Sequence, residues 1–357
     1  MAFSFLLVCG LMEKIVIIGG GVAGLSCLNA LIDQGLSPLL LEEKTIGLPK
    51  VCGEFLAPLA CSQLQKWGIG PIQRISKVCF LVNNRQTNLT FPNPAGAFSR
   101  TEAELGLAKR AHDRGGRILE KIRIKKINPS ITHSPYVIDL ESGEQILAQT
   151  LIIASGKLNP SASLMEFPYQ GFKIHVPQVL QAETLFMSHY PGAYFGLVPI
   201  NSEISNLTCL VQRKVVEQWG SCKTFFQHLI KVSPLLKEIE INSIQWLEGK
   251  APEFKAQVVP DWKNAFWIGD ALASFYPAIG YGFAHSVNSA MIAAHFYLHG
   301  DVPLYNKFIQ KEIKHKLWIG KLLHHSFMHQ TISGFLLSIT RTNPGFAEFL
   351  MKKAGFS

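Results

Sequence analysis

Between Lys14 and Gly19 the chain runs Ile15-Val16-Ile17-Ile18 without a polar break. Such a β-branched run suits a strand buried on both faces of a parallel sheet. Gly19-Gly20-Gly21 stops it. Val22 to Gln34 then reads as a helix, with Leu25, Leu28 and Leu31 on nearby faces and Gly35 as its C-terminal stop. Leu39-Leu40-Leu41 reads as a second buried strand ending at Glu42. Further helices are predicted over 53–68, 100–114, 178–187, 222–239 and 283–299, with an all-helical region from 301. Strands are predicted over 75–98, in short pieces between 117 and 150, at Leu151–Ala154, through parts of 170–250 and at Phe266-Trp267-Ile268. Strand-rich blocks twice interrupt the sheet begun at Ile15. A discontinuous α/β cofactor domain with an inserted strand-rich domain is therefore expected.

The glycines after the first strand are spaced Gly19-x-Gly21-x-x-Gly24. Between a strand and a helix this is the dinucleotide-binding fingerprint. Gly19 permits the tight turn, Gly21 lets the backbone approach a diphosphate, and Gly24 lets helix and strand pack closely. The helix N-terminus then offers free N–H groups and a partial positive charge to the phosphates. Glu42 ends the second strand and can accept from ribose hydroxyls. The fingerprint by itself does not separate FAD from NAD.

A second block makes that separation: Trp267-Ile268-Gly269-Asp270-Ala271, then Tyr276-Pro277-Ala278-Ile279-Gly280-Tyr281-Gly282, then a helix. It resembles the flavoprotein superfamily of p-hydroxybenzoate hydroxylase-type monooxygenases and geranylgeranyl reductases. The resemblance implies that Gly269 and Asp270 bind the ribityl chain of FAD. It also implies that Pro277, Gly280, Gly282 and Phe283 aim a helix N-terminus at the flavin ring, where negative charge gathers on reduction. Arg100 stands where the superfamily places an arginine against the flavin phosphates, and Glu104 replaces the usual aspartate four residues on. In Leu151-Ile152-Ile153-Ala154-Ser155-Gly156, Ser155 replaces the aspartate of an Asp-Gly pair. Lys50-Val51-Cys52-Gly53-Glu54 resembles the Lys-x-Cys-Gly segment of the geranylgeranyl reductase-like branch. That implies Lys50, Cys52 and Gly53 beside the cofactor, with the Cys52 thiol either chemically active or simply packed there. Pro191 to Pro199 resembles the reductases' Pro-x-x-Tyr-x-Trp-x-Phe-Pro, with Gly196 for the tryptophan and Val198 for the phenylalanine. Tyr194 and Gly196 stand where flavin halogenases carry two tryptophans, which argues against a halogenase. The missing rings are expected to widen the pocket. Cys52 and Tyr194 are the candidates for catalysis.

The resemblance implies a Rossmann-type, p-hydroxybenzoate hydroxylase-like FAD domain in three parts (12–75, 99–165, 256–300). A mixed β-sheet substrate domain is inserted as 76–98 and 166–255, and a helical region occupies 301–357. No second fingerprint follows, so NADPH or NADH would dock transiently as electron donor. Two reaction types stay open on the same FAD site. One is reduction of an apolar, isoprenoid- or lipid-like substrate; the other is hydroxylation of an aromatic or polyketide substrate with oxygen. A non-catalytic flavin-binding protein is the alternative of another class.

Composition changes this picture in three places. The net charge of +9 comes without a long basic block or a nucleic-acid motif, so no nucleic acid is expected. Leu304, Phe308, Ile313, Leu317 and Trp318 fall near helical spacing among Lys307, Lys311, Lys314, Lys316 and Lys321. Such a helix either lies on an anionic membrane or packs on the domain with its lysines in water. The 7 cysteines form no C-x-x-C pair, which argues against a disulfide framework or zinc site and for a reducing, cytoplasmic setting. His299, His315, His324, His325 and His329 lack acidic partners at ligand spacing and read as surface or packing residues, so no metal is expected. Residues 1–11 are apolar but too short to span a bilayer. They read as an extension ahead of Met12, with no role in the fold.

Overall fold

A computed structural model describes residues 12–82, 85–129, 135–156, 167–237, 246–329, 334, 338–340 and 342–356. The extension over 1–11 lies outside these residues. In chain order the strands are β1 (Met12–Ile18), β2 (Leu39–Leu41), β3 (Phe55–Leu56), β4 (Gln73–Val82), β5 (Arg85–Ala97), β6 (Arg117–Leu119), β7 (Ile124–Asn128) and β8 (Tyr136–Leu140). They continue as β9 (Gln145–Ile153), β10 (Tyr169–Val176), β11 (Thr184–Tyr190), β12 (Ala193–Pro199), β13 (Ser205–Gln212), β14 (Leu247–Ala251) and β15 (Ala265–Trp267). The helices are α1 (Val22–Ile32), α2 (Pro58–Lys66), α3 (Arg100–Asp113), α4 (Arg213–Trp219), α5 (Cys222–Val232), α6 (Pro234–Lys237), α7 (Gly282–His299), α8 (Val302–Met328) and α9 (Pro344–Ala354).

Two sheets organise the chain. The first has the order β6-β2-β1-β9-β8-β7. Its β6, β2, β1 and β9 run parallel, and β15 adds parallel to the C-terminal half of β9. Ile15 to Ile18 are buried as the unbroken apolar run requires. Every residue of α1 is buried as well, because α3 and α7 pack over it. Its one amide, Asn29, is satisfied there. Nδ2 donates to the carbonyls of Leu25 and Leu107, both at 2.9 Å, and Oδ1 accepts from Arg110 at 2.8 Å.

The second sheet has the order β14-β10-β13-β12-β11-β4-β5-β3. All its pairs are antiparallel except β11 with β4. Its strands come from two blocks of sequence, β3 to β5 and β10 to β14, that interrupt the first sheet. The helix expected over 178–187 is absent; Thr184–Tyr190 is instead β11, held between β4 and β12. Pairing on both edges outweighed a weak local helical preference. Similarly, the helix expected from 53 starts only at Pro58, after β3 has paired with β5. The C-terminal helices join the two layers: α8 touches β15 of the first sheet and β11 and β12 of the second, and α9 packs on α8 and β5.

Candidate active site

The two sheets enclose a cavity of about 1210 Å³, larger than a usual single-ligand pocket of about 300–1,000 Å³. Gly19, Gly21, Glu42, Lys50 and Arg100 line one end. The glycines there serve different masters. Gly19 has φ +107°, and a Cβ would meet the Ala154 carbonyl oxygen at 2.4 Å. At Gly24 a Cβ would lie 1.9 Å from the Gly19 oxygen. Gly24 does not line the cavity; it lets α1 press against the strand end, as the fingerprint requires. Gly21 differs from both. Its φ of −79° suits any residue, and its nearest neighbours are Arg100 at 3.9 Å and Glu104 at 4.0 Å. Neither conformation nor protein packing calls for glycine there.

Beside Gly21, Glu104 is fully buried between two cations. Arg100 Nε donates to it at 2.9 Å and Lys50 Nζ at 2.8 Å. Both cations of this triad line the cavity beside the N-terminus of α1. Burial opposes the charge on Arg100, but Cys52, Glu104 and Asp270 around it raise its pKa further and hold it protonated. Glu42 accepts from the Gly20 N–H at 2.5 Å and from the Lys44 N–H at 2.9 Å. It ties the glycine turn to the end of β2.

The block from Trp267 to Gly282 arrives at the same place from the other side. A Cβ on Gly269 would lie 2.7 Å from that of Ala23, two residues after Gly21. Gly269 (φ +59°) does not line the cavity, whereas Asp270, Pro277, Gly280, Gly282 and Phe283 do. Two buried side chains of α7 brace this loop. Ser289 Oγ accepts from the Gly269 N–H at 2.9 Å, and His285 Nε2 meets the Gly269 carbonyl at 3.1 Å. Burial pushes His285 down to about 4, so the imidazole is neutral and donates that hydrogen bond.

Cys52 and Gly53 line the middle of the cavity. The Cys52 carbonyl accepts from Asn206 Nδ2 and Thr208 Oγ1, both at 3.0 Å, and its sulfur accepts from the Glu54 N–H at 3.4 Å. Glu54 is the hub beneath it. The residue has φ +54° and a fully buried side chain. Its carboxylate accepts from Lys173 Nζ at 2.5 Å, His175 Nε2 at 2.7 Å and the Arg100 N–H at 2.9 Å. Burial pushes its pKa up, but His175 and Lys173 outweigh that and hold it below the ordinary carboxylate value. No role was read from the sequence for Glu54, Lys173 or His175. The signal was present only as Lys173-x-His175, a two-residue spacing that puts both on one face of β10.

The opposite end of the cavity is apolar, with Phe80, Phe91, Leu185, Met187, Phe327 and Phe356 among its walls. Phe356 stacks on Phe91 with ring centroids 4.6 Å apart. Tyr194 lines this end and is buried. Its hydroxyl is 3.3 Å from His324 Nδ1, and His324 Nε2 is 3.0 Å from the half-buried Tyr169 hydroxyl. Burial, then the neighbouring His325, pushes His324 down to about 4, so the ring is neutral. His324 is thus a buried packing residue against Tyr194, not a surface one. Gly196 also lines the cavity, but the space beside it is taken: a Cβ would meet Met187 Sδ at 3.1 Å. Met187 occupies the room that the missing ring was expected to open.

The residues fit a dinucleotide cofactor on grounds internal to the protein. Gly21, Gly53 and Gly282 line the cavity; a Cβ on Gly53 or Gly282 would meet nothing within 4 Å, and one on Gly21 nothing nearer than 3.9 Å. Ser155 Oγ and Ser274 Oγ are buried at its wall without a hydrogen-bond partner among the described residues. Buried polar atoms of that kind call for a bound polar group. Among the described residues no cluster of metal ligands occurs.

Comparison with known proteins agrees with this architecture. No protein-family model matches the chain. Over 155 residues, 41% of the chain, it is 24% identical to the menaquinone reductase of Mycobacterium tuberculosis H37Rv; the match spans 38% of that protein's length. A flavoprotein/dehydrogenase from Cytophaga hutchinsonii superposes with a TM-score of 0.79 at 14% identity, covering 97% of this chain and 93% of that one. PqsL of Pseudomonas aeruginosa, a probable FAD-dependent monooxygenase, gives 0.74 at 11% identity, covering 92% and 100%. A geranylgeranyl bacteriochlorophyll reductase-like protein from Thermoplasma acidophilum gives 0.69 at 17% identity, covering 96% and 99%. The chain shares the fold of these three structures. The fold expected from the two glycine blocks is the observed one.

Proposed function

We propose that the protein is an FAD-dependent oxidoreductase that reduces an apolar, isoprenoid- or lipid-like substrate, with NADPH or NADH as a transient electron donor. The observation that carries this reading is the lining of the cavity. Arg100 and Lys50 beside Gly21, and the aromatic rings of Phe91 and Phe356, line one and the same space. The overall likeness to a geranylgeranyl reductase-like protein and the partial likeness to menaquinone reductase support the reductase branch.

FAD, when bound, supplies hydride transfer. Arg100, Lys50 and the α1 N-terminus would hold its diphosphate, and Asp270 would hold its ribityl chain. The N–H groups of Gly282 and Phe283 stabilise negative charge on the ring. Cys52 packs between these groups, its loop fixed by Asn206 and Thr208. Tyr194 is the proton-bearing group at the substrate end, and the neutral ring of His324 holds its hydroxyl in place. The apolar wall excludes water from the reacting carbons.

The test is purification, a visible spectrum, anaerobic addition of NADPH and then admission of air with candidate polyprenyl substrates. The expected outcome is a yellow protein that the nicotinamide bleaches and an apolar alkene re-oxidises. A colourless protein that FAD does not reconstitute removes the flavin reading. The fold likeness to a probable monooxygenase favours a second reading. Substrate-dependent oxygen consumption with stoichiometric hydroxylated product would establish it in place of the first.

A further inference from the structure

Helix α8 has 27 residues and is therefore about 40 Å long. Tyr305, Ile309, Ile313, Gly320, His324 and Phe327 bury one side of it. At about 100° per residue the opposite side carries Leu304, Phe308, Lys311, His315, Trp318 and Leu322. On that side Leu304 is 49% exposed, Phe308 46%, Trp318 62% and Leu322 42%. Lys307, Lys314 and Lys321 recur every seventh residue along its flank, and all are exposed. None of these lysines is in an ion pair with a described residue. The helix has one acidic residue, Glu312, which lies off this stripe, near Lys316 and Tyr281.

Single exposed apolar residues need no explanation. Four on one stripe, with a tryptophan among them and four lysines interleaved, form a basic amphipathic face. Helix α8 thus packs on the domain by one side and leaves an amphipathic side outward. No helix among the described residues is long and apolar enough to cross a membrane. Leu323 and Phe327 on the inner side of the same helix line the apolar end of the cavity.

We infer that the outer face of α8 docks the protein on an anionic lipid surface, with Phe308, Trp318 and Leu322 entering the headgroup region and Lys307, Lys311, Lys314 and Lys321 meeting lipid phosphates. Tryptophan favours that depth, and each lysine gains from the negative surface potential. The docking itself stands on α8; its use in bringing an apolar substrate to the cavity rests on the proposed function. 

The test is flotation of the full chain with vesicles of phosphatidylcholine alone and of phosphatidylcholine mixed with phosphatidylglycerol. Binding to the mixed vesicles should exceed binding to the neutral ones by at least about 10-fold and weaken with salt. The double variant Phe308→Ser/Trp318→Ser and the triple variant Lys307→Glu/Lys314→Glu/Lys321→Glu should each lose at least about 10-fold. Val258→Ser, at an exposed apolar residue elsewhere, should bind as the parent does. Thermal unfolding midpoints should stay with the parent's, showing that the variants fold. Absence of binding to anionic vesicles, or equal binding by the stripe variants, overturns the inference. So does a concentration-dependent dimer that Phe308→Ser/Trp318→Ser abolishes without any vesicle binding, since the stripe would then belong to a second copy. A colourless parent that binds vesicles would remove the flavin reading and leave the docking intact.

Discussion

The glycines of the fingerprint show how one residue type answers to two causes. Gly24 is required by the protein, since a Cβ would fall 1.9 Å from the Gly19 oxygen. Gly24→Ala forces α1 off the strand, and chemical denaturation should show a loss of about 1–3 kcal/mol or more. Gly21 is required by nothing the protein itself supplies. Gly21→Ala should unfold within about 0.5 kcal/mol of the parent and yet retain little flavin, read from the visible spectrum. Equal flavin content in Gly21→Ala and the parent would remove the diphosphate from that position. Glu54 answers to a third cause, charge. Its removal leaves Lys173 buried without a partner, so Glu54→Ala should cost about 3–5 kcal/mol in the same denaturation experiment. A loss below 1 kcal/mol would mean that water reaches Lys173. The glycine spacing was legible because the motif is contiguous. The Glu54 cluster was not, because Lys173 and His175 lie more than a hundred residues from Glu54 and meet it only where β10 passes under the Cys52 loop.

Among the elements, the strand–helix–strand start and α7 follow from local pattern, since each is apolar on every side that other elements cover. The segment 184–190 did not behave this way. Its residues form β11 because β4 and β12 offer edges on both sides, and edge pairing is not a local property. The last helix is a similar case. Local pattern predicts only an all-helical C-terminus, whereas α9 and the residues after it line the apolar part of the cavity, with Phe356 stacked on Phe91 and packed near Phe55. Phe356→Ala should therefore do two things. It should destabilise the protein by about 3 kcal/mol, and it should shift substrate preference toward bulkier chains, measured as the ratio of kcat/KM for long and short analogues. An unchanged ratio would place the substrate elsewhere in the cavity.

For the molecule as a whole, three buried titratable groups act in one direction. His285 and His324 are both held at about 4, against an unfolded value of about 6.5. The unfolded chain takes up protons first as pH falls, so their contribution is complete above about pH 6.5 and is lost on the way down to about pH 4. For His285 alone the shift corresponds to about 3 kcal/mol. Glu54, with a lowered pKa, adds to the same trend: its contribution is present above the unfolded carboxylate value and is lost as pH falls through the folded one. Denaturation midpoints should thus fall between pH 6.5 and 4, and His285→Gln should flatten that slope. A flat profile in the parent would show that water hydrates both imidazoles.

What the chain states by itself is set by short-range patterning. The buried strands at Ile15 and Leu39, the fingerprint at Gly19, the Gly-Asp block at Gly269 and the interrupted domain order can all be read within windows of a few dozen residues, because backbone turns and helix starts depend on adjacent residues. Tertiary structure alone decided that Gly269 comes to rest against Ala23, that Glu54 gathers Lys173, His175 and the start of α3, that Met187 fills the space beside Gly196, and that α9 shuts the far wall. Those outcomes depend on which surfaces meet when two sheets enclose one cavity, and distance along the chain carries no record of that.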